Sequence, residues 1–145
     1  MPYKNIILTP AQYSEQHREQ TAQFYKGFST NTPDQNVKLY DFDVVKQDIL
    51  NYFNTRQGER VMNPSFGCIV WDLLYEPFTA DIKESIGADV NRILTSDPRV
   101  NVQSINFTEY EYGIAAEINL TYVVTNQTDT LKLNFDRNLG LQVVQ

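Results

Sequence analysis

The hydrophobic period of this chain changes once, at Pro98, and that change decides the class of fold. From Asp41 onward Phe42, Val45, Ile49, Tyr52 and Phe53 recur at three- and four-residue spacing, the pattern of a helix with one buried face. Gly58 falls close to where a C-terminal cap of that helix is expected. Cys68 to Tyr75 is apolar nearly all round except for Asp72, which predicts a short buried helix ending at Glu76-Pro77. Thr79 is placed to cap a third core helix, whose residues Ile82, Ile86, Val90 and Ile93 keep helical spacing until Asp97-Pro98 stops it. After Pro98 the period is two. Val100 and Val102 alternate with polar residues, and a slip of phase at Ser104 to Ile105 and Phe107 predicts a bulge. Tyr112-Gly113 is expected to turn the chain, and Ile114, Ala116, Ile118, Leu120, Tyr122 and Val124 to line one face of a long strand. Asn126 to Asp129 form the next expected turn, Leu131, Leu133 and Phe135 the next strand, and Leu141 to Val144 a last short one. Helices first and a meander afterwards make an α+β fold: N-terminal helices followed by an antiparallel β-meander.

The residues before this domain read differently. Thr9-Pro10 can start a helix running to about Phe24, but Tyr13 and Phe24 are its only large anchors, with Gln16, His17 and Gln20 where a core-facing helix would carry apolar groups. Residues 27–38, GFSTNTPDQNVK, are turn-rich and read as a linker. The expected organisation is therefore an N-terminal arm over 1–38, partly disordered in the free protein, and one domain over 39–145.

Composition removes several classes of function. The chain has 145 residues and a net charge of −6, and it lacks the clustered Lys and Arg that neutralise phosphates, so no nucleic acid is expected as partner. No apolar run approaches the roughly 20 residues of a membrane span, and the start is too short in apolar residues for a signal peptide, so no membrane is expected and the protein is read as made in the cytoplasm. Cys68 is the only cysteine, which excludes an internal disulfide, and its CIVW context reads as buried. His17 is the only histidine and sits on the polar arm, leaving no base for a Ser-His-Asp arrangement and no metal site. Phosphate-cradling glycine loops are absent, so no cofactor is expected. Glu76 with Asp81, and Glu109 with Glu111, are the carboxylate pairs available to a glycosidase-like site. One of the two would need a desolvated carboxyl facing a cleft, and solvated surface groups are the simpler reading.

Two short stretches remain as candidate sites. Residues 57–67, QGERVMNPSFG, place a charged pair inside a stiff loop directly before the most apolar segment. Gly58 allows a positive φ, Pro64 fixes one φ, and Gly67 permits close backbone approach ahead of Phe66 and the buried helix. Such a loop holds a shape. Glu59 and Arg60 can pair with each other, anchor loop carbonyls, or meet a partner. In Asp97-Pro98-Arg99 the proline ends a helix and leaves Arg99 on a stiff corner, either simply solvated or gripping a carboxylate or carbonyls with its planar fork.

GERVMNPSFGCIVWDLLYEP, preceded by KQDILNYFNTRQ and followed about twenty residues on by Asp97-Pro98-Arg99, closely resembles the lysozyme-like baseplate wedge family of contractile-tailed phages, which includes the sheath-initiating baseplate component of type VI secretion systems. The resemblance covers roughly residues 38–135, and its most specific part is the GER-x-x-x-P-x-[FY]-G pattern from Gly58 to Gly67. It implies a structural protein of the virion tail baseplate, assembled in the host cytoplasm, with other baseplate wedge proteins, the tail sheath protein and tail tube or tube-adaptor proteins as partners. It also implies that the sheet offers strands onto which sheath subunits add, and that the family's Glu-Pro-Arg motif contacts the helical core bundle of the wedge. That motif falls on Asp97, Pro98 and Arg99, with Asp97 one methylene shorter than the family's usual Glu. The family's other associations imply two rival roles, a peptidoglycan-degrading lysozyme-like enzyme and a regulatory anti-adaptor-like binding module.

Overall fold

The computed structural model describes residues 25–28 and 38–144, in two parts taken separately. In the first, Lys26–Phe28 (β1) and Lys38–Tyr40 (β2) pair antiparallel. The Asp41 carboxylate accepts the Tyr25 N–H at 2.8 Å, and the Asp41 N–H donates to the Tyr25 carbonyl at 3.0 Å. Gly27, Phe28 and Lys38 were expected in a linker and lie instead in this ribbon, because main-chain pairing needs no apolar pattern. The expected helix from Pro10 to Phe24, His17 and the expected disorder of the arm lie outside the described residues.

The second part holds three helices, α1 (Asp41–Asn54), α2 (Val70–Leu73) and α3 (Ala80–Thr95). They precede a four-stranded antiparallel meander in the order β3 (Val100–Tyr110), β4 (Gly113–Tyr122), β5 (Gln127–Asp136), β6 (Gly140–Val144). The switch of period at Pro98 is the switch from helix to sheet. Val45, Ile49 and Phe53 of α1 and Ile86, Val90 and Ile93 of α3 are buried at the spacing read from sequence. The sheet supplies Ile114, Ala116, Ile118, Leu120 and Tyr122 from β4 and Leu131, Leu133 and Phe135 from β5. Phe135 meets Phe53 and Trp71 edge-on, with centroids 6.1 and 5.4 Å apart. The opposite face of the sheet is polar: Asn119 donates to the Ser104 hydroxyl at 2.8 Å and accepts from the Thr130 hydroxyl at 2.6 Å.

Thr79 caps α3, its hydroxyl accepting the Ile82 N–H at 3.4 Å. The bulge is present, with Gln103 the extra residue between the Val102–Leu120 and Ser104–Asn119 pairs. Other boundaries moved. The segment from Cys68 to Tyr75 contains only a single helical turn, and Tyr75 is exposed, because Asp72 and Tyr75 both face solvent and leave Val70 and Leu74 as the inward pair. Gly58 lies four residues past α1 and caps nothing there; its φ of +89° serves the following loop. β4 stops at Tyr122, Val124 is exposed, and the turn occupies 123–126 with Asn126 at φ +51°, so β5 begins where a turn was expected. Gly113 opens β4 rather than turning the chain: a Cβ there would lie 1.9 Å from the Phe135 carbonyl oxygen, so the residue is required by close approach of two strands.

Candidate functional site

The loop between α1 and α2 is held from both ends. The Cys68 N–H donates to the Thr55 carbonyl at 2.9 Å and the Gln57 N–H to the Cys68 carbonyl at 3.2 Å, a short parallel bridge that closes the loop on itself. Inside it the Gly58 N–H reaches the Pro64 carbonyl at 2.9 Å and the Phe66 N–H the Asn63 carbonyl at 3.1 Å. Glu59 and Arg60 take separate tasks. The Glu59 carboxylate accepts the Arg56 N–H at 3.1 Å, while the Arg60 guanidinium lies 3.7 Å from the centroid of the Phe66 ring. Phe66 in turn stacks on Tyr52 of α1, with centroids 4.0 Å apart. Arg56 anchors the base of the loop to α2 through Asp72.

Two residues that sequence reading passed over fix this loop to α3. Asp89 is 7 % exposed and accepts the Ile69 N–H at 2.9 Å, and Arg92 binds it through Nε at 3.0 Å and Nη2 at 2.6 Å. Arg92 Nη2 also donates to the Gly67 carbonyl at 3.1 Å, and its bonds to Asp89 raise its already high pKa further. A signal existed: Asp89 sits in the buried phase of α3 with an arginine three residues on, and a carboxylate at a core position requires partners. Cys68 beside it is buried, which pushes its thiol up to about 12 and leaves it unreactive at neutral pH.

The second candidate stretch forms the corner where α3 gives way to β3. Asp97 turns back on the corner and accepts the Arg99 N–H at 3.0 Å, a geometry that suits the short side chain of aspartate. The Arg99 fork grips the same carboxylate through Nε at 2.9 Å and Nη2 at 2.6 Å, and Nη2 reaches Asp48 of α1 at 2.9 Å. Arg99 is thus 24 % exposed and grips carboxylates, as the second of the two readings had it, and those carboxylates belong to its own chain. Burial pushes the Asp97 carboxyl up, and the hydrogen bonds and charge of Arg99 overcome this and hold it below the ordinary carboxylate range. The bonds from Asp97, reinforced by Asp48, raise the pKa of Arg99.

The two stretches meet. Arg60 and Phe66 form one wall and Asp97, Pro98 and Arg99 the other of an open groove of about 550 Å3, floored by Ile49, Tyr52 and Ile93. Glu59 and Gly58 border a separate polar hollow with Arg56, and Pro64 and Gly67 shape the loop without lining the groove. Glu76, Asp81, Glu109 and Glu111 are all exposed and none lines the groove. Among the described residues no group of three or more His, Cys, Asp or Glu is placed to hold a metal ion, and no helix is long and apolar enough to cross a membrane.

The family model of the baseplate wedge protein gp25 matches residues 41–129, which takes in α1, the loop, the corner and most of the sheet. This chain belongs to that family. The gp25 family is a structural component of the contractile tail baseplate, so the phage tail baseplate is where the protein is found. The chain is 31 % identical over 91 residues to baseplate wedge protein gp25 of Enterobacteria phage T4, a match covering 59 % of this chain and 66 % of that protein, just short of two thirds of its length. A tail lysozyme-like protein of Geobacter sulfurreducens is 25 % identical with a TM-score of 0.54, covering 63 % of this chain and 90 % of its own. A chain of the anti-feeding prophage baseplate shares the fold, at 23 % identity and a TM-score of 0.52, over 68 % of this chain and 80 % of that one.

The ion pairs of the corner make a prediction that acid titration checks. The Asp97 carboxyl is depressed in the folded state, so its contribution is present above the unfolded value of about 3.9 and is lost as pH falls through the lower folded value. Arg99→Ala is expected to cost about 2 kcal/mol at neutral pH, because it leaves Asp97 and Asp48 without their shared cation. The difference in unfolding free energy between wild type and variant should be constant above about pH 5 and shrink below about pH 4. Asp136, also depressed, through bonds from the Asn138 and Leu139 N–H groups, cancels in that difference.

Proposed function

We propose that this chain is a non-enzymatic wedge subunit that binds the helical core bundle of the wedge through Asp97, Pro98 and Arg99 and templates sheath polymerisation by strand exchange. In this reading residues 39–145 are the wedge domain and 1–38 an N-terminal arm. The observation that carries the strand exchange is the open sheet. β3 is eleven residues long and pairs only with β4, while β6 covers only Lys132–Asp136 of the ten-residue β5. Among the described residues nothing pairs with the outer edge of β3 or with β5 from Gln127 to Leu131 on its β6 side. A long unpaired edge is an aggregation hazard unless a partner covers it, and an added strand gains affinity from main-chain hydrogen bonds and register from alternating side chains.

The test is to isolate tagged protein from particle-producing cells, wild type beside Arg99→Ala, at a temperature where circular dichroism shows both folded. Wild type is expected to bring down wedge and sheath proteins, and the variant to lose the wedge proteins. Wild type that returns neither, or that clears a suspension of cell walls, would sink the structural reading. Exposed carboxylates and a net charge of −6 give no reason to expect clearing.

A further inference from the structure

The apolar tip of the α1–α2 loop is the feature that neither the core nor the corner explains. Val61 and Met62 are 93 % and 96 % exposed. Scattered exposed apolar residues are ordinary, but these are adjacent, and they stand on a loop whose backbone is bonded at Gly58, Asn63, Phe66 and Cys68. A surface held in one shape loses little freedom on binding, which is what makes an exposed apolar pair an effective anchor. Methionine adds a flexible thioether that adapts to the cavity it enters.

Charge identifies the partner chemistry. Arg56, Arg92 and Arg99 are each paired with a carboxylate of this chain. Arg60, next to the tip, is in no ion pair among the described residues, and its guanidinium is held over the Phe66 ring on the wall of the groove. Hot spots of interfaces combine these elements: a stacked arginine, an apolar anchor and surroundings that exclude water.

We propose that Val61 and Met62 insert into an apolar cleft between helices of the wedge core bundle, with a carboxylate on the rim of that cleft meeting Arg60, so that the loop makes a second contact beside Asp97, Pro98 and Arg99. The inference rests on the proposed binding of that bundle. It adds affinity at the loop tip to that of the corner, where Asp97 and Asp48 hold Arg99 in place.

The experiment uses the core-bundle complex purified from particle-producing cells and the full chain, with affinity measured for wild type, Val61→Asp/Met62→Asp, and Val61→Ser/Met62→Ser. Both double variants are expected to melt as wild type does, since the side chains touch nothing they would unpack, and to bind at least about tenfold more weakly, the aspartates most. Equal affinity for all three chains would overturn the loop-tip contact and leave the corner as the binding element. Failure of the wild type to bind would overturn the bundle as partner and this contact with it. Loss of binding to isolated sheath subunits with bundle affinity unchanged would likewise overturn it.

Discussion

Gly67→Ala is expected to cost about 4 kcal/mol of unfolding free energy and to lower the melting midpoint by on the order of 20 °C. Two penalties add. The residue has φ +106°, a region that side chains rarely adopt. Its Cβ would also lie 2.6 Å from the Thr55 carbonyl oxygen and 2.8 Å from the carbonyl carbon and oxygen of Arg56. Those atoms are backbone and cannot swing aside. The Thr55 oxygen is the acceptor of the Cys68 N–H, and the Gly67 carbonyl is held by Arg92, so relief of the clash opens the bridge or the link to α3. Gly58 is the control. It too has a positive φ, +89°, but nothing lies within 4 Å of its Cβ, so Gly58→Ala should cost only about 1 kcal/mol. Denaturant melts of the two variants side by side check the claim, and a Gly67→Ala cost near that of Gly58→Ala would refute the close-packed bridge.

What was legible in the sequence was whatever repeats locally. The helical spacing of Val45, Ile49 and Phe53, the alternation from Ile114 to Tyr122 and the slip at Ser104 each follow from which face of an element is buried, and each is in place. Turn positions were less legible. Val123 and Val124 continue a strand composition past the point where the chain turns, because the left-handed residue that ends the turn is Asn126, and asparagine tolerates that conformation without advertising it. The site was legible only as two separate stretches. Their meeting depends on pairs far apart in the chain: Arg99 with Asp48, Arg92 with Gly67, Arg56 with Asp72. No local pattern encodes such pairs, and the folded helices alone bring them together. Asp97 fills most of the Arg99 fork from only two residues away, a local pair within reach of sequence reading, whereas the Asp48 contact that completes it depends on the fold.

Asp89→Ala is expected to cost about 3 kcal/mol, the next largest effect, because one buried carboxylate holds two elements on α3. It accepts the Ile69 N–H just ahead of α2 and the Arg92 guanidinium, and through Arg92 it fixes the Gly67 carbonyl. Removing it leaves an amide and part of a guanidinium without acceptors beside the buried Cys68 and Val70. Asp89→Asn keeps an oxygen for the Ile69 N–H but loses the charge, so a cost of about 1–2 kcal/mol is expected. Arg92→Ala should cost less than Asp89→Ala, since the arginine is partly exposed and water replaces some of its bonds. In a double-mutant cycle the pair should show a coupling of about 1–2 kcal/mol. Amide exchange gives the local readout: the Ile69 N–H should lose protection in Asp89→Ala while amides in the centre of β4 lose only what the global destabilisation dictates. If Ile69 exchanges no faster than β4 does, the loop is held without Asp89, and the rigid presentation of Arg60, Val61 and Met62 to a partner must come from the parallel bridge, the Arg56–Asp72 pair and the Phe66–Tyr52 stack.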